Sequence, residues 1–517
     1  MNEKMLRLKC AAGVIALVVT GLSVNIAGAQ GRDSNEWDNG VDVLTRGPVH
    51  EAFAETISFD PEPGIIVPEA PREIIEEVPP DYRPEGVNVA WIPGYWAWEE
   101  DRGDFIWISG IWRDLPPGRQ WVPGYWRQVH RGFQWISGFW ADSGVSETEY
   151  LPEPPESIEY GPSSPPPAVN QGWIPGSWLW RQDRYLWRPG YWAAGRENWV
   201  WIPDHYTWSP RGCVFSEGYW DHTVERRGVL FAPVYFEPEV YARPRYTYSP
   251  TYSINLTVFS DQLFVRPRYQ HYYFGDYYDR RYQDSGFFAS FSYQSSHRGY
   301  DPIYAHRGWK HRRDRGWERR DRDNFAHRRD FADARPPRTL RLQREHHGRD
   351  TRSGETRIEV AVRFGDLTRR GDQNRFRKVN RSEREELAQR GRGIQKSRSE
   401  RHEVEDRPNS SDENHARSDR PVRRRAPKPL IVSKPTDQLG QDRTPPKRHR
   451  TPATDSKVEP RARRADRDSD GDRKSYSGRP DSRPQRGKDE SKADKDEPKR
   501  DSHKRKHKKD SKDDSDD

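Results

Sequence analysis

Residues 121–140 read WVPGYWRQVHRGFQWISGFW, two near copies of one hexapeptide set fourteen residues apart. The side chains there that could do chemistry are indoles. An indole offers a flat apolar face that stacks on a sugar ring or on another aromatic. The hexapeptide W-x-x-G-x-W begins at Trp91, Trp107, Trp121, Trp135, Trp173 and Trp187. Degenerate copies begin at Trp201, where Asp204 and Tyr206 replace Gly and Trp, and at Phe215. Eighteen of the 21 tryptophans lie in residues 89–220, so whatever this region does, it does with rings.

Two roles divide the rings. The first of each motif, Trp91, Trp107, Trp121, Trp135, Trp173, Trp187 and Trp201, is expected in a structural core. Aliphatic residues are few between Trp91 and Trp140, and each ring buried there is worth about 1.5–3 kcal/mol. The second ring of each motif, Trp96, Trp112, Trp126, Trp140, Trp178, Trp192 and Trp220, is expected on an exposed stacking surface. Two or more rings per strand exceed what one face of a thin sheet can bury.

Catalysis finds less support. The chain contains no G-x-S-x-G, H-E-x-x-H or P-loop, and no G-x-G-x-x-G in a βαβ setting. Glu99, Glu100, Asp101 and Asp104 lie near tryptophans, where two carboxylates would serve glycoside hydrolysis; between strands they read as solvated turn residues. Cys213 has no histidine near it in sequence and sits two residues before Phe215, the place of a small core residue. His346 and His347 lie among arginines, which repel a metal ion. No catalytic, cofactor or metal residue is assigned.

The elements that must position the rings follow from the step. Motif starts are separated by 16, 14, 14, 38, 14, 14 and 14 residues, two blocks of four with a Pro-rich insert at 141–172. Proline at 93, 123, 175, 189 and 203 rules out a coiled coil. A strand of about nine residues plus a turn of about four fits the step. Turn signals fall between motifs at Arg102-Gly103, Pro117-Gly118, Arg131-Gly132, Gly195-Arg196 and Arg211-Gly212. The two motif rings are five residues apart, so a regular strand would send them to opposite faces. A kink at Gly94, Gly110, Gly124, Gly138, Gly176, Gly190 and Gly218 would reverse that parity. Pro and Ser alternate before glycine at 93, 109, 123 and 137, which makes a pair of copies, one hairpin of about 28 residues, the structural unit. The expected fold is mainly β: an antiparallel meander of 14-residue Trp-rich repeats, barrel-like or in two packed sheets.

The rest of the chain divides by composition. Residues 1–29 read as a signal peptide, with Lys4, Arg7 and Lys9, an apolar run and Ala27-Gly28-Ala29 before a cleavage point. Residues 30–88 are an acidic, Pro-rich extended leader whose Ile65, Ile66, Val67, Ile74 and Ile75 can pack along the β domain at 89–220. Residues 221–300 are a Tyr-rich β extension and 301–340 a charged segment, with short helices expected near 301–335. Residues 341–517 read as a disordered polyampholyte tail, with three aromatics in all and a short helix near 381–390. Residues 1–300 carry a net charge of −12 and residues 301–517 one of +20. No long apolar run follows the signal segment, so no membrane span is expected after its removal.

The array, with WIPGYWAW, WISGIW, WVPGYW and WISGFW, resembles the bacterial YXWGXW (WXXGXW) repeat-containing proteins. The segment LFAPVYF…YARPRY…LFVRPRYQHYYFGDYY resembles the part that follows the repeats in exported members. The resemblance implies an exported, repeat-bearing protein without an assigned biochemical role, and brings no catalytic residues. Sequence and resemblance together lead to an exported, non-enzymatic structural or binding protein at the periplasm, cell surface or exterior. Its β domain would contact envelope polysaccharide or another envelope protein. Its tail would make weak contacts with anionic polymers, nucleic acid not being among the expected partners. Two other readings stay open: a cell-wall hydrolase with a Trp-lined groove, and a self-assembly module.

Overall fold

A computed structural model describes residues 40–348, 358–370, 375–406 and 422–425. The signal-peptide expectation and most of the expected tail lie outside these residues.

Each pair of hexapeptides folds as one long hairpin, broken in the middle. In the first pair, Tyr95–Glu99 and Asp104–Ile108 form an inner ribbon closed by the turn at 100–103. Both strands stop at the kink, and Val89–Ile92 pairs with Ile111–Asp114 as an outer ribbon. The other three pairs repeat the plan. Inner ribbons join Tyr125–Val129 to Gly132–Ile136, Ser177–Arg181 to Arg184–Arg188, and His205–Ser209 to Gly212–Ser216. Outer ribbons join Arg119–Val122 to Phe139–Asp142, Gln171–Ile174 to Tyr191–Ala194, and Trp199–Ile202 to Tyr219–His222. We call the four hairpins modules one to four.

The architecture is therefore mainly β, with antiparallel hairpins at the expected turns and kinks. Among the described residues, neither a barrel nor two four-stranded sheets is built from the repeats. The kink divides each copy between two ribbons, which prevents one continuous sheet. Added strands extend the ribbons instead. Ile66–Val67 joins module two and Glu147–Leu151 joins module four. Gly132 and Gly212 take equivalent positive φ values of 139° and 135°. A Cβ at either would strike a backbone carbonyl of the added strand, at Val67 or Leu151.

The leader is extended but woven into the fold. Val41–Val43 pairs with Val234–Phe236, Gly47–Pro48 with His271–Phe274, and Ile57–Ser58 with Gly299–Tyr300. Val49, Phe53 and Ile57 lie in the main core with Trp107, Val234, Val265 and Tyr293. Val67 and Ile75 are buried there as well, while Ile66 and Ile74 stay at the surface. The charged segment forms helices Pro302–Lys310 and Trp317–Asp330. Tyr304 packs on Trp317, and Phe325 on Phe264 and Tyr278.

The expectation of disorder from residue 341 is corrected for the described part of that range. Ala361–Arg363 pairs with Tyr252–Ile254, and Phe376–Lys378 with Tyr82–Pro84. The helix expected near 381–390 runs from Arg381 to Asp406. It buries Leu387, Ala388, Gly391, Ile394, Arg398, Arg401 and Glu405, a stripe at helical spacing. Arg401 pairs with Glu405 one turn on at 2.8 Å and donates to the carbonyls of Pro123 and Ser137. Glu405 also accepts from the hydroxyls of Tyr125 and Tyr150 at 2.8 and 2.9 Å. Composition averaged over 177 residues hides a stripe of this kind, because three of the seven residues named are charged.

Candidate functional site in the paired repeats

Strand register places the rings. Trp91 lies opposite Trp112, Trp96 opposite Trp107, Trp121 opposite Trp140 and Trp126 opposite Trp135. Trp173 faces Trp192, Trp178 faces Trp187, Trp201 faces Trp220 and Tyr206 faces Phe215. Every first ring thus meets the second ring of the other copy. The centroids are 5.1–5.4 Å apart and the ring planes mostly steeply inclined. Edge-to-face pairs of this type add about 0.5–1.5 kcal/mol each beyond their burial.

The expected split into buried first rings and exposed second rings is corrected by this pairing. Trp96, Trp112, Trp140 and Trp220 are as buried as Trp91, Trp107, Trp121, Trp135 and Trp201. A ring whose face is closed by the opposing copy is inside whichever position it holds. Trp126 is half-buried, its Nε1–H donating to the Trp96 carbonyl at 2.8 Å. Module three is different. Trp173, Trp178, Trp187 and Trp192 are all half-exposed, as are Trp180 and Tyr185, and Leu186 is 41% exposed.

The motif glycines are demanded by the same rings. A Cβ on Gly110 would lie 2.6 Å from the Trp91 ring, and one on Gly124 2.6 Å from Trp135. Gly94 lies under Trp107, Gly138 under Trp121, Gly176 under Trp187, Gly190 under Trp173 and Gly218 under Trp201. The relation is reciprocal: the first Trp of each copy covers the Gly of the other. It explains the two degenerate copies as one change. Where Asp204 stands in place of Gly, the opposing first ring is Phe215 in place of Trp, and the smaller ring leaves room for a side chain.

Each kink also takes its glycine N–H out of the strand ladder, and a buried N–H needs an acceptor. In each module a carboxylate takes at least one of these N–H groups. In module one, Glu77 accepts from Gly94 N at 2.7 Å, Gly110 N at 2.8 Å and Trp107 Nε1 at 3.1 Å. In module two, Glu51 accepts from Gly138 N at 3.0 Å and Trp135 Nε1 at 2.7 Å. In module three, Glu159 accepts from Gly176 N and from Trp173 Nε1 at 3.0 Å. In module four, Asp204 serves its own module, accepting from Gly218 N at 2.7 Å and pairing with Arg188. Glu51 and Glu77 come from the leader and Glu159 from the Pro-rich insert; all three are buried. Burial pushes the Glu77 carboxyl up to about 7, against the pull of its three N–H donors.

The clamp accordingly joins a backbone N–H and an indole N–H onto one carboxylate, charge-assisted bonds of the strong kind. In modules one and three a second grip lies upstream of the glutamate. Trp96 Nε1 donates to the Glu73 carbonyl at 2.9 Å, and Trp178 Nε1 to the Glu156 carbonyl at 3.2 Å. The chemistry this site supplies is recognition of a glutamate on an extended segment. The three glutamates carried no mark in the sequence beyond the acidity of the segments that hold them. The available signal was the glycine N–H freed at each kink.

Other sequence candidates have structural partners. Glu100 and Asp101 are exposed turn residues, as expected, and also pair with Arg266 and Arg46; Glu99 is instead buried against Arg46, and Asp104 holds Arg72. Cys213 is buried, and burial pushes its thiol up to about 12. The described residues contain no group of three or more His, Cys, Asp or Glu placed to hold a metal ion, and no helix long and apolar enough to cross a membrane. Modules one and four are tied by Asp221, which takes Arg113 at 2.6 and 2.7 Å and Arg227 at 3.0 Å, all buried. A cavity of about 610 Å³ opens between modules two, three and four, walled by Trp121, Trp180, Phe215, Arg119 and Glu149.

Comparison with known proteins agrees with the modular division. The family model of the WXXGXW repeat, which comprises two copies, matches residues 86–113, 121–141, 170–193 and 196–221. Each match coincides with one module. No curated protein and no solved structure matches the chain.

Proposed function

We propose that this WXXGXW repeat protein is an exported, non-enzymatic scaffold of the cell envelope whose third module is its contact surface for a partner protein. One observation carries the reading. Modules one, two and four bury their motif rings except Trp126 and Phe215, whereas module three leaves all four partly exposed and lends Trp180 to the wall of the 610 Å³ cavity. An open aromatic patch on an otherwise closed assembly marks a contact site. Its rings are packed edge to face at 68° and 70°. That arrangement offers edges and gaps to a protein surface in place of the flat row on which a polysaccharide would stack. The basic C-terminal region would add weak, salt-dependent association with anionic envelope polymers.

The test uses the full mature chain. Acrylamide quenching should reach the tryptophans of module three, and the quenchable fraction should fall when Trp173, Trp178, Trp180, Trp187 and Trp192 are replaced by Phe. Saturable binding to cell-wall polysaccharide, abolished by the same replacements, would put a glycan in the partner's place. Release of reducing ends from such a polymer would replace the scaffold reading by a hydrolase. Fractionation of cells for the protein tests export.

A further inference from the structure

We propose that the clamp of module three is a binding site for a glutamate presented by an acidic, proline-flanked peptide of a partner protein, and that Glu159 is an internal occupant which such a peptide displaces. The proposal rests on module three being the open contact surface. What it adds is the ligand's chemistry.

The molecule itself shows what the clamp accepts. Three clamps are filled from outside their own module, each by a glutamate, and two of those glutamates lie on extended, proline-flanked segments: PREIIEEVPP around Glu77 and PPESIEYGP around Glu159. Both segments are held at two points, the carboxylate at the glycine kink and an upstream carbonyl at the second motif ring. The same recognition used twice on different sequences is a binding mode and not a local accident of packing.

The two occupants differ in how firmly they are seated. The segment around Glu77 lies in a parallel pairing, Glu76–Glu77 with Thr247–Tyr248, and its Ile75 is in the main core. The segment around Glu159 has no regular structure between residues 152 and 170. Glu159 is the one buried residue from 155 to 170; Ile158 is 51% and Tyr160 77% exposed. Beyond the carboxylate, module three holds this strap by hydrogen bonds to main-chain carbonyls: Tyr185 Oη to Pro152, Trp178 Nε1 to Glu156 at 3.2 Å, Trp192 Nε1 to Ser164 at 3.1 Å and, at its end, Gly195 N to Asn170 at 3.0 Å; Ser157 N also donates to Asp60 at 2.8 Å. Opening it exposes little apolar surface, the condition for low-cost local release. The vacated site would present the N–H of Gly176 and the Nε1–H of Trp173, with half-exposed rings on either side.

The experiment measures binding of a synthetic peptide spanning residues 152–164 to the full chain and to its Glu159→Gln and Glu159→Ala variants. Tryptophan emission and calorimetry are the readouts. The peptide should bind both variants at least tenfold tighter than the wild-type chain, whose own strap competes. A peptide with Gln at the clamped position should lose at least tenfold on the Ala variant. Sodium acetate should raise the melting temperature of Glu159→Ala more than sodium chloride of equal ionic strength, and should not do so for the wild type. Glu159→Gln keeps the side-chain volume and serves if the Ala variant loses its near-ultraviolet circular dichroism. Equal peptide affinity for wild type and Glu159→Gln, or an affinity unaffected by the Gln-bearing peptide, would overturn the proposal. If peptide and acetate both fail while the quenchable tryptophans remain in module three, the open surface stands and its ligand is of another kind.

Discussion

Replacing Gly218 by Ala tests the reciprocal cover of ring over glycine most sharply. Gly218 does not use a left-handed φ, so its backbone accepts Ala, and the loss of chain entropy on folding would by itself favour Ala by about 0.4–1 kcal/mol. The ring decides the sign. A Cβ there would stand 2.5 Å from Trp201 Cζ2, against an ordinary carbon contact of about 3.5–4.0 Å. Trp201 is buried and packed on Trp220 at 5.1 Å, so it has little room to retreat. Overpacking of this kind costs about 1–3 kcal/mol, leaving a net loss of about 1–2 kcal/mol. Trp201→Phe removes the obstructing part of the ring. It also removes a buried Nε1–H without a hydrogen-bond partner, and relief of about 1–3 kcal/mol from that donor offsets much of the lost burial. The double variant should therefore recover most of what Gly218→Ala loses, with a coupling of about 1–2 kcal/mol. Urea unfolding of the full chain, followed by far-ultraviolet circular dichroism, gives the four midpoints. Losses that simply add, or a Gly218→Ala chain as stable as wild type, would refute the account of why the motif contains glycine.

Three further outcomes follow from the buried carboxylates. Glu77 is raised from 4.5 to about 7, so between these values the folded chain holds a proton that the unfolded chain releases. Stability should fall by about 3 kcal/mol as pH rises through that window, 2.5 units at about 1.36 kcal/mol each. Glu77→Gln should lack this slope, and parallel melting curves across pH 4.5–7 for the two chains would sink the assignment. Asp221→Asn leaves Arg113 and Arg227 buried without their shared anion and should cost about 3–5 kcal/mol, read as a shift in the urea midpoint; a near-neutral result would mean that modules one and four are not held there. Glu405→Ala takes the common acceptor from Arg401, Tyr125 and Tyr150. Trypsin should then cut within helix Arg381–Asp406 faster than in wild type while the tryptophan near-ultraviolet signal of the modules persists, and an unchanged cutting rate would mean that Glu405 does not hold the helix in place.

The local frame was legible in the residues alone. The step of fourteen and the turn glycines placed the strands, turns and kinks, and the Pro/Ser alternation paired the copies of the first block into hairpins, because strands and turns answer to residues next to one another; the break of each hairpin into two ribbons was not read from them. The residues also place Cys213 on a strand as a small core residue. Features that depend on residues far apart in the chain came only with the fold. Which ring is inside depends on the ring opposite, so the division into inner and outer tryptophans failed at Trp96, Trp112, Trp140 and Trp220. The glycine needed its partner copy to explain it, as did the joint change at Asp204 and Phe215. Only the first part of helix Arg381–Asp406 was read from the sequence; its full length and its packing did not show in composition because its buried charges meet groups such as Pro123 and Tyr150, more than 250 residues away. The carboxylates that close the modules were unreadable for the same reason. Glu51, Glu77 and Glu159 are ordinary acidic residues until the fold brings them to a freed glycine N–H and an indole N–H, and only that meeting makes the repeat a receptor for a carboxylate.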